Sequence, residues 1–529
     1  MKFRNYGFRI AAVLPIILSL LLSVYVIINH NIGNAASQGT FVQNQHGPSF
    51  GQRQNHPRSM SNVKSPGNLP LQPMHAMPGG REATAGSNYN TQIIVYAITF
   101  FLVVLAAYFA LIRKKAGRKF SISHGNQRML LITLFFVGFL LRIVLGILIA
   151  GHPFDLNLFR SWATSAANNL SQFYSGRNSS DYPPLYIYVL YIVGKLGSLK
   201  ALNPYFTLFL KLPSILADMG TALLLFKLSI KYLSPELSIL VAALYIFNPA
   251  VFVNSTIWGQ VDSFFTLIVI AGIVLLTEQK LVYSSILFTA AVLMKPQGII
   301  FLPILFFELV RRKRLKDIVR VLITSAITAI LLVLPFSTND NILWIFKLFT
   351  NTIGEYPYAT VNAFNFFYLL GANYTKDSLT LFLVSYHVLG IIFIVLTTLT
   401  AWLVFVRGKK RRFGPAAALI LISGVFIFST RMHERYLFPA VALTILAFIY
   451  LKDRRLLLLA TGFSITSFVN TYDILYQTIA GIHQSTSSVI PVITSSLNVI
   501  LFIYLIKISF GLSEINPHKL NDTLDTKKN

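Results

Sequence analysis

A chain of 529 residues would ordinarily divide into three or four soluble domains, but 54% of this one is hydrophobic and only 12% is charged. Globular proteins carry about 25% charged residues, so this composition, with a mean hydropathy of +0.63, excludes a soluble protein and predicts an all-α integral membrane bundle. The net charge of +27 comes from 45 Lys and Arg against 18 Asp and Glu. Its basic runs RKKAGRK (113–119), RRKRLK (311–316), RGKKRR (407–412) and KDRR (452–455) lie between apolar blocks, which marks cytoplasmic loops rather than a nucleic-acid surface. There is no cysteine, so disulfides, thiol nucleophiles and thiolate metal sites are excluded.

Residues 8–28 follow Lys2 and Arg4 and are long enough to span. They read as an uncleaved anchor with its N-terminus inside. The rival reading is a cleaved signal peptide, for which Asn34, Ala35 and Ala36 form only a loose cleavage site. Residues 31–91 are rich in Asn, Gln, Ser, Gly and Pro without hydrophobic periodicity, which predicts a disordered extracytoplasmic loop. Spans at 92–112 and 129–150 lead to a first outer loop over 151–204. Further spans are expected at 205–227, 236–254, 258–277, 280–294, 296–310, 318–336, 380–406, 414–430, 436–451, 455–475 and 487–508. The count is about 14, with both termini cytoplasmic and every basic run inside. It requires the apolar stretch 183–199 to lie along the interface or re-enter, and 280–310 is short for two spans of roughly 20 residues each. The chain so divides into an N-terminal hairpin (1–112), a core (113–450) and C-terminal helices with a cytoplasmic tail (451–529).

The first outer loop opens HPFDLNLFRSWATSAANNL. From Asp155 onward, Leu156, Phe159, Trp162, Ala163, Ala166 and Leu170 recur at helical spacing and predict an amphipathic interfacial helix. Two readings of Asp155 stand at its start: an N-cap accepting backbone N–H groups, or a general base at the water–lipid boundary. The loop closes with DYPPLYIY (181–188), whose prolines bar a regular helix before Leu185. Lys211 and Asp218 follow inside apolar sequence, where each ionisable group costs roughly 2.5–3.5 kcal/mol on insertion scales and so calls for a partner or a role.

In NPAVFVNSTIWGQVDSFF (248–265), Trp258 reads as an aromatic-belt anchor, whereas Gln260 and Asp262 at an outer helix start are candidates for orienting sugar hydroxyls. LMKPQGII places Lys295 and Gln297 around a proline break, whose exposed backbone groups must be satisfied by neighbours or a cavity. The aromatic, amide-rich EYPYATVNAFNFFYLLGANY (355–374) offers Asn362 and Asn365 beside ring faces, suited to sugar or prenyl contact and equally to interfacial packing. FSTRMHERYLFP then gathers Arg431, His433, Glu434 and Arg435 within five residues. Such a cluster is costly unless it faces water or an anion, and the arginine fork matches phosphate. The competing reading is a self-neutralising ion-pair network between two helices.

Together these motifs resemble the GT-C superfamily of polytopic glycosyltransferases, in particular bacterial Gpi18-like mannosyltransferases. They are also similar to the eukaryotic dolichyl-phosphate-glucose-dependent glucosyltransferases of the N-glycan pathway. The resemblance runs from about Gly151 to Pro439. An acidic residue a few positions before R-x-W is matched by Asp155, Arg160 and Trp162, and D-Y-P-P-L by Asp181, Tyr182, Pro183, Pro184 and Leu185. The K-L-F…L-I-A-D stretch is matched by Lys211 and Asp218, and V-H-E-K by Met432, His433, Glu434 and Arg435. Where those enzymes have H-F-Q-Y-N, this chain has W-G-Q-V-D and shares only Gln260, which leaves the sugar and the acceptor open. The N-terminal hairpin has no counterpart.

The resemblance implies a GT-C-type multi-helix transmembrane bundle at the cell membrane. It implies transfer of a hexose, mannose or glucose, from a polyprenyl-phosphate sugar to a glycan, glycolipid or protein acceptor at the extracytoplasmic face, with inversion by single displacement. Asp155 is then the catalytic base, and Arg431, His433, Arg435 and Lys295 bind the donor phosphate. Arg160, Trp162, Asp181, Tyr182, Asp218, Gln260, Asp262, Gln297, Asn362, Asn365 and Glu434 are the expected substrate contacts. The sequence holds no D-x-D motif and no dense carboxylate cluster of the kind that binds Mg²⁺ or Mn²⁺, so neither metal nor cofactor is expected. Two other classes compete. One is a transporter or flippase for a phosphate-containing glycolipid, in which Asp218 and Asp262 couple ions and Arg435 escorts the head group; the inverted repeat such proteins often carry is not evident. The other is a non-catalytic envelope assembly factor, which would tolerate loss of Asp155.

Overall fold

A computed structural model of the chain describes residues 12–30, 89–113, 123–175, 180–337, 343–408, 411–482 and 488–514. The loop expected to be disordered (its residues 31–88), most of the basic run at 113–119 and the tail from residue 515 lie outside these.

Helices α1 (Ala12–His30), α2 (Asn90–Arg113) and α3 (His124–Leu148) come first, followed by α4 (Pro153–Asn168) and α5 (Pro184–Gly197) in the first loop region. Then come α6 (Phe206–Tyr232), α7 (Pro235–Ile246) and α8 (Pro249–Phe252), the last running into a π-helical turn, Val253–Trp258. Next are α9 (Asp262–Thr277), α10 (Leu281–Val292), a 3₁₀ turn Pro296–Phe301, α11 (Leu302–Arg312), α12 (Leu315–Val333) and α13 (Trp344–Gly354). The chain finishes with α14 (Phe366–Leu369), α15 (Tyr386–Arg407), α16 (Gly414–Phe428), α17 (Pro439–Leu451), α18 (Arg455–Ile479) and α19 (Val489–Glu514). A small antiparallel hairpin pairs Thr380 with Ser385 ahead of α15.

Among the described residues, nine helices are long and apolar enough to cross a membrane, and the protein is an all-α, multi-pass membrane bundle. These nine fall on nine of the fourteen expected spans; the other five fall on α9, α10, the Pro296–Arg312 stretch, α17 and α18. At about 1.5 Å per residue, the 12 residues of α10 and the 13 of α17 reach well short of a hydrocarbon core of about 30 Å. The break between α10 and α11 falls at Lys295–Pro296, where proline withholds an N–H and the next turn tightens to 3₁₀. The span expected from 380 begins only at Tyr386, because 380–385 forms the hairpin and the Ser385 hydroxyl caps the helix by accepting the Val388 N–H at 3.2 Å.

Burial sorts the helices into a core and a periphery. Every residue of α17 is buried, as is nearly all of α16, the expected result for helices that are apolar all round. By contrast α1, α2, α12 and α15 expose rows of Leu, Ile and Val, faces that hydrocarbon rather than water would cover. The N-terminal hairpin joins the bundle: α2 packs on α18, and the Tyr96 hydroxyl donates to the Phe247 carbonyl at 2.5 Å.

Inside the bundle, Arg142 and Asp218 pair at 3.2 Å with both side chains fully buried. Arg142 also donates to the carbonyls of Gly138 and Ile246, and Ser255 donates to Asp218. Lys211 reaches the last carbonyls of α3, Gly146 and Ile149, as a cation at a helix C-terminus does. Lys211 and Asp218, the two ionisable groups that the sequence marks inside its apolar stretch, therefore have structural partners.

The amphipathic face of α4 is present as expected: Leu156, Phe159, Trp162, Ala163 and Ala166 are all buried, although Leu170 lies beyond the helix end. It is covered by protein. The alanines let α5 approach so closely that a Cβ on Gly194 would stand 2.0 Å from the Ala163 carbonyl oxygen. Gly194→Val is therefore expected to destabilise the detergent-solubilised protein by about 1–3 kcal/mol, as overpacking does, with α4 displaced and the thermal midpoint lowered. An unchanged midpoint would show that this contact is loose. At 14 residues, with Pro183 as cap and Pro184 at its first position, α5 falls short of the roughly 20 residues of a full span, as α10 and α17 do.

Candidate active site

Asp155 is placed by two glycines in left-handed conformations. Gly151, at φ 100°, turns the chain from α3 into α4 directly under the Trp258 carbonyl, which accepts the His152 N–H at 3.0 Å. A Cβ on Gly151 would meet that carbonyl oxygen at 2.8 Å, so only glycine allows the approach. Gly259, at φ 92°, ends the π-helical turn Val253–Trp258.

These two bends put Asp155 against Trp258 and Gln260. Trp258 Nε1 donates to Asp155 Oδ2 at 2.6 Å and Gln260 Nε2 donates to the same oxygen at 2.5 Å. The N-cap of α4 is His152, whose Nδ1 accepts the Asp155 amide N–H at 3.3 Å. Asp155 therefore sits in the first turn, and its carboxylate is not needed as the cap. Burial pushes its carboxyl up, but His152, Arg435 and the bonds from Trp258 and Gln260 outweigh this and hold it below the usual carboxylate range.

The opposite wall is the turn between α16 and α17. It is fixed to the 355–374 segment by backbone bonds, Arg431 N–H to Tyr358 O at 3.0 Å and Val361 N–H to Met432 O at 2.9 Å. Arg431 adopts φ 63° to make that turn. Its Nε donates to Asp377 at 2.7 Å and its Nη1 to the Ile353 carbonyl at 2.9 Å. His433 stands edge-on to Tyr356, ring centroids 4.8 Å apart. Burial, with Arg435 and Lys295 close by, pushes it down to about 3, so the ring is neutral at physiological pH.

Arg435 differs from its neighbours. Nη1 donates to Glu434 at 2.5 Å, while Nε has no hydrogen-bond partner among the described residues and stands 3.9 Å from Asp262 Oδ2. Lys295 is held by Asp262 Oδ1 at 2.5 Å, and Asn254 donates to the other Asp262 oxygen at 3.1 Å. Of the four groups expected to bind phosphate, three are thus cations with carboxylate partners, Arg431 with Asp377, Lys295 with Asp262 and Arg435 with Glu434, and one is a neutral ring. Arg435 retains donor capacity at its buried Nε.

Asp155, Lys295, Arg431, His433 and Arg435 all line one cavity of about 410 Å³, within the size range of small-molecule sites. Trp162, Asp181, Tyr182 and Gln297 line it as well. Burial holds the Asp181 carboxyl above its usual range, against its own backbone hydrogen bond and the pull of Lys295 and Arg435. Toward its other end the wall is apolar: Ile299, Ile391 and Ile394, at 44%, 47% and 36% exposure, carry the cavity to the outer face of α15 and the 3₁₀ turn.

The remaining expected contacts lie elsewhere. Arg160 points to Thr207 and lies over the Phe206 ring. Asp218 belongs to the Arg142 pair. Gln260, Asp262 and Glu434 stand behind the wall, holding Asp155, Lys295 and Arg435. Asn362 exchanges hydrogen bonds with Asn373, and Asn365 caps α14 and donates to the Phe426 carbonyl.

Trp258 corrects its sequence reading. It is 1% exposed and donates inward, where a belt anchor would reach the membrane surface. Four further groups escaped the sequence reading: His152, which caps α4, and Glu355, Tyr356 and His387, which line the cavity. The first lay in the quoted HPFD motif and the next two in the EYPY segment; only their contacts in three dimensions set them apart.

The fold and the site define a polytopic all-α membrane protein with a buried acid–cation cavity that runs into an apolar flank. No protein-family model matches the chain, and no curated protein matches it either.

Proposed function

We propose that this protein is an inverting membrane glycosyltransferase of the GT-C kind. It takes a hexose from a polyprenyl-phosphate sugar to a lipid-linked or cell-envelope acceptor at the extracytoplasmic face. The observation that carries the reading is that Asp155 and Arg435, 280 positions apart in the chain, line the same cavity. The acceptor hydroxyl attacks the anomeric carbon while Asp155 takes its proton, and the bond from that carbon to the phosphate oxygen breaks with its electron pair leaving on polyprenyl phosphate. Arg435, with donor capacity to spare, faces the charge that grows on the departing phosphate. The isoleucine-lined flank suits the prenyl chain, which needs no polar contact.

The proposed placement keeps about fourteen crossings, both termini inside and the cavity outside, which leaves every basic run on the cytoplasmic face. The purified protein, incubated with radiolabelled polyprenyl-phosphate mannose or glucose, is expected to release polyprenyl phosphate and label an acceptor. Movement of intact labelled lipid across a vesicle membrane without that release would instead support the flippase. Transfer is also expected to persist in excess chelator, since the sequence has no D-x-D motif; loss of activity that a divalent ion restores would overturn that expectation.

A further inference from the structure

The two oxygens of Asp155 have different surroundings. Oδ2 accepts from Trp258 and from Gln260, and His152 Nδ1 lies 3.3 Å from it. Among the described residues no hydrogen bond reaches Oδ1, although the side chain lines the cavity and is 13% exposed. Trp258 is itself clamped. The His152 imidazole stacks on the indole, ring centroids 4.7 Å apart and planes 9° apart, and the Arg435 guanidinium carbon stands 5.7 Å from the ring centroid. The π-helical turn that ends in Trp258 and Gly259 directs both Trp258 and Gln260 at one oxygen, in keeping with the association of π-bulges with functional sites.

We infer that Trp258 is a positioning residue for this site. With Gln260 it ties down Oδ2, so that Oδ1 alone is presented as the proton acceptor, and the stacked His152 keeps the indole in register. This rests on the reading of Asp155 as the base. An N–H bonded to a carboxylate is a charge-assisted bond that favours the ionised form, and it fixes the direction of the second oxygen at the same time. The charged and titratable groups around Asp155 that interact with it electrostatically are His152 at its own helix start, Lys295 at the α10 break, Asp181 at the end of the first loop, and His433, Glu434 and Arg435 in the turn before α17. None of them occupies the position of the indole N–H.

Trp258→Phe keeps a ring for His152 to stack on and removes the N–H. It is expected to lower kcat for transfer about ten- to a hundredfold through misplacement of the base. The donor KM should stay nearly constant. The acidic limb of the kcat/KM profile should move to higher pH, because a carboxylate that loses a donor binds its proton more tightly. An unmoved limb with unchanged kcat would overturn the inference.

A second measurement needs no turnover. Full-length protein carrying 5-fluorotryptophan at its four tryptophans gives ¹⁹F resonances, and Trp162→Phe, Trp344→Phe and Trp402→Phe assign Trp258 by elimination. The Trp258 resonance is expected to titrate at acid pH in the wild type and to lose that titration in Asp155→Asn. A resonance indifferent to Asp155→Asn overturns the pairing whether or not sugar is transferred. If it responds while the wild type transfers no hexose, the pairing stands and the glycosyltransferase reading fails.

Discussion

Asp155→Asn, inserted at the wild-type level, is expected to lose hexose transfer by about 10²- to 10⁴-fold, the range a positioned general base contributes. The substitution is nearly isosteric. Its amide oxygen can still accept from Trp258 and Gln260, which reach one oxygen of the native carboxylate, so the wall of the cavity keeps its shape. What changes is the second position, where an amide has no useful affinity for a proton. The loss should therefore fall on kcat with the donor KM little altered, the pattern of an interaction made only in the transition state. The sign of the pH dependence follows from the same surroundings. His152, Arg435 and the two donated bonds hold the carboxyl below its usual range despite burial, so wild-type activity is to be flat through neutral pH and to fall only in acid. Full transfer by the Asn variant, measured as polyprenyl phosphate released per inserted protein, removes Asp155 as the base.

Arg142→Leu is expected to destabilise the bundle by about 3–5 kcal/mol, since it leaves a buried carboxylate without its counter-ion. Asp218 is fully buried and takes its bonds from Arg142 and Ser255. A hydroxyl does not replace a guanidinium. The Ile246 carbonyl, which accepts from Arg142 at 2.7 Å, loses its side-chain donor as well. The double variant Arg142→Leu with Asp218→Leu is expected to recover most of the loss, because replacing both members of a buried pair by apolar residues is often neutral or stabilising. Thermal midpoints in one detergent, followed by a size-based or fluorescence assay of the folded fraction, compare the three proteins. A double variant as unstable as the single would mean that Arg142 acts through its carbonyl bonds and its place over the Phe252 ring at 3.9 Å, rather than through Asp218.

Local pattern carried the sequence reading a long way. Blocks of apolar residues marked the helices, and each expected span holds one. The spacing of Leu156, Phe159, Trp162, Ala163 and Ala166 marked the buried face of α4. Asp155 and the 431–435 cluster stood out because ionisable groups are scarce in such a chain. The same reasoning misjudged Trp258, since a tryptophan near a helix end is by frequency an interfacial anchor and nothing in the string announces a π-helical turn. It missed the partner of Asp218, because Arg142 sits inside an apolar span that it scarcely interrupts.

What the sequence determined by itself was the solvent, the helical class and the identity of the scarce polar groups. These follow from hydropathy and period, which are sums over some 20 neighbouring residues. What only the tertiary structure decided was which of those groups meet. Arg431 goes to Asp377, Lys295 to Asp262 and Arg142 to Asp218, while Arg435, whose Nε has no hydrogen-bond partner among the described residues, lines the same cavity as Asp155. Each of these pairings joins residues more than thirty positions apart. The energy of a buried charge depends on the partner that packing delivers to it, and the surrounding sequence does not contain that information.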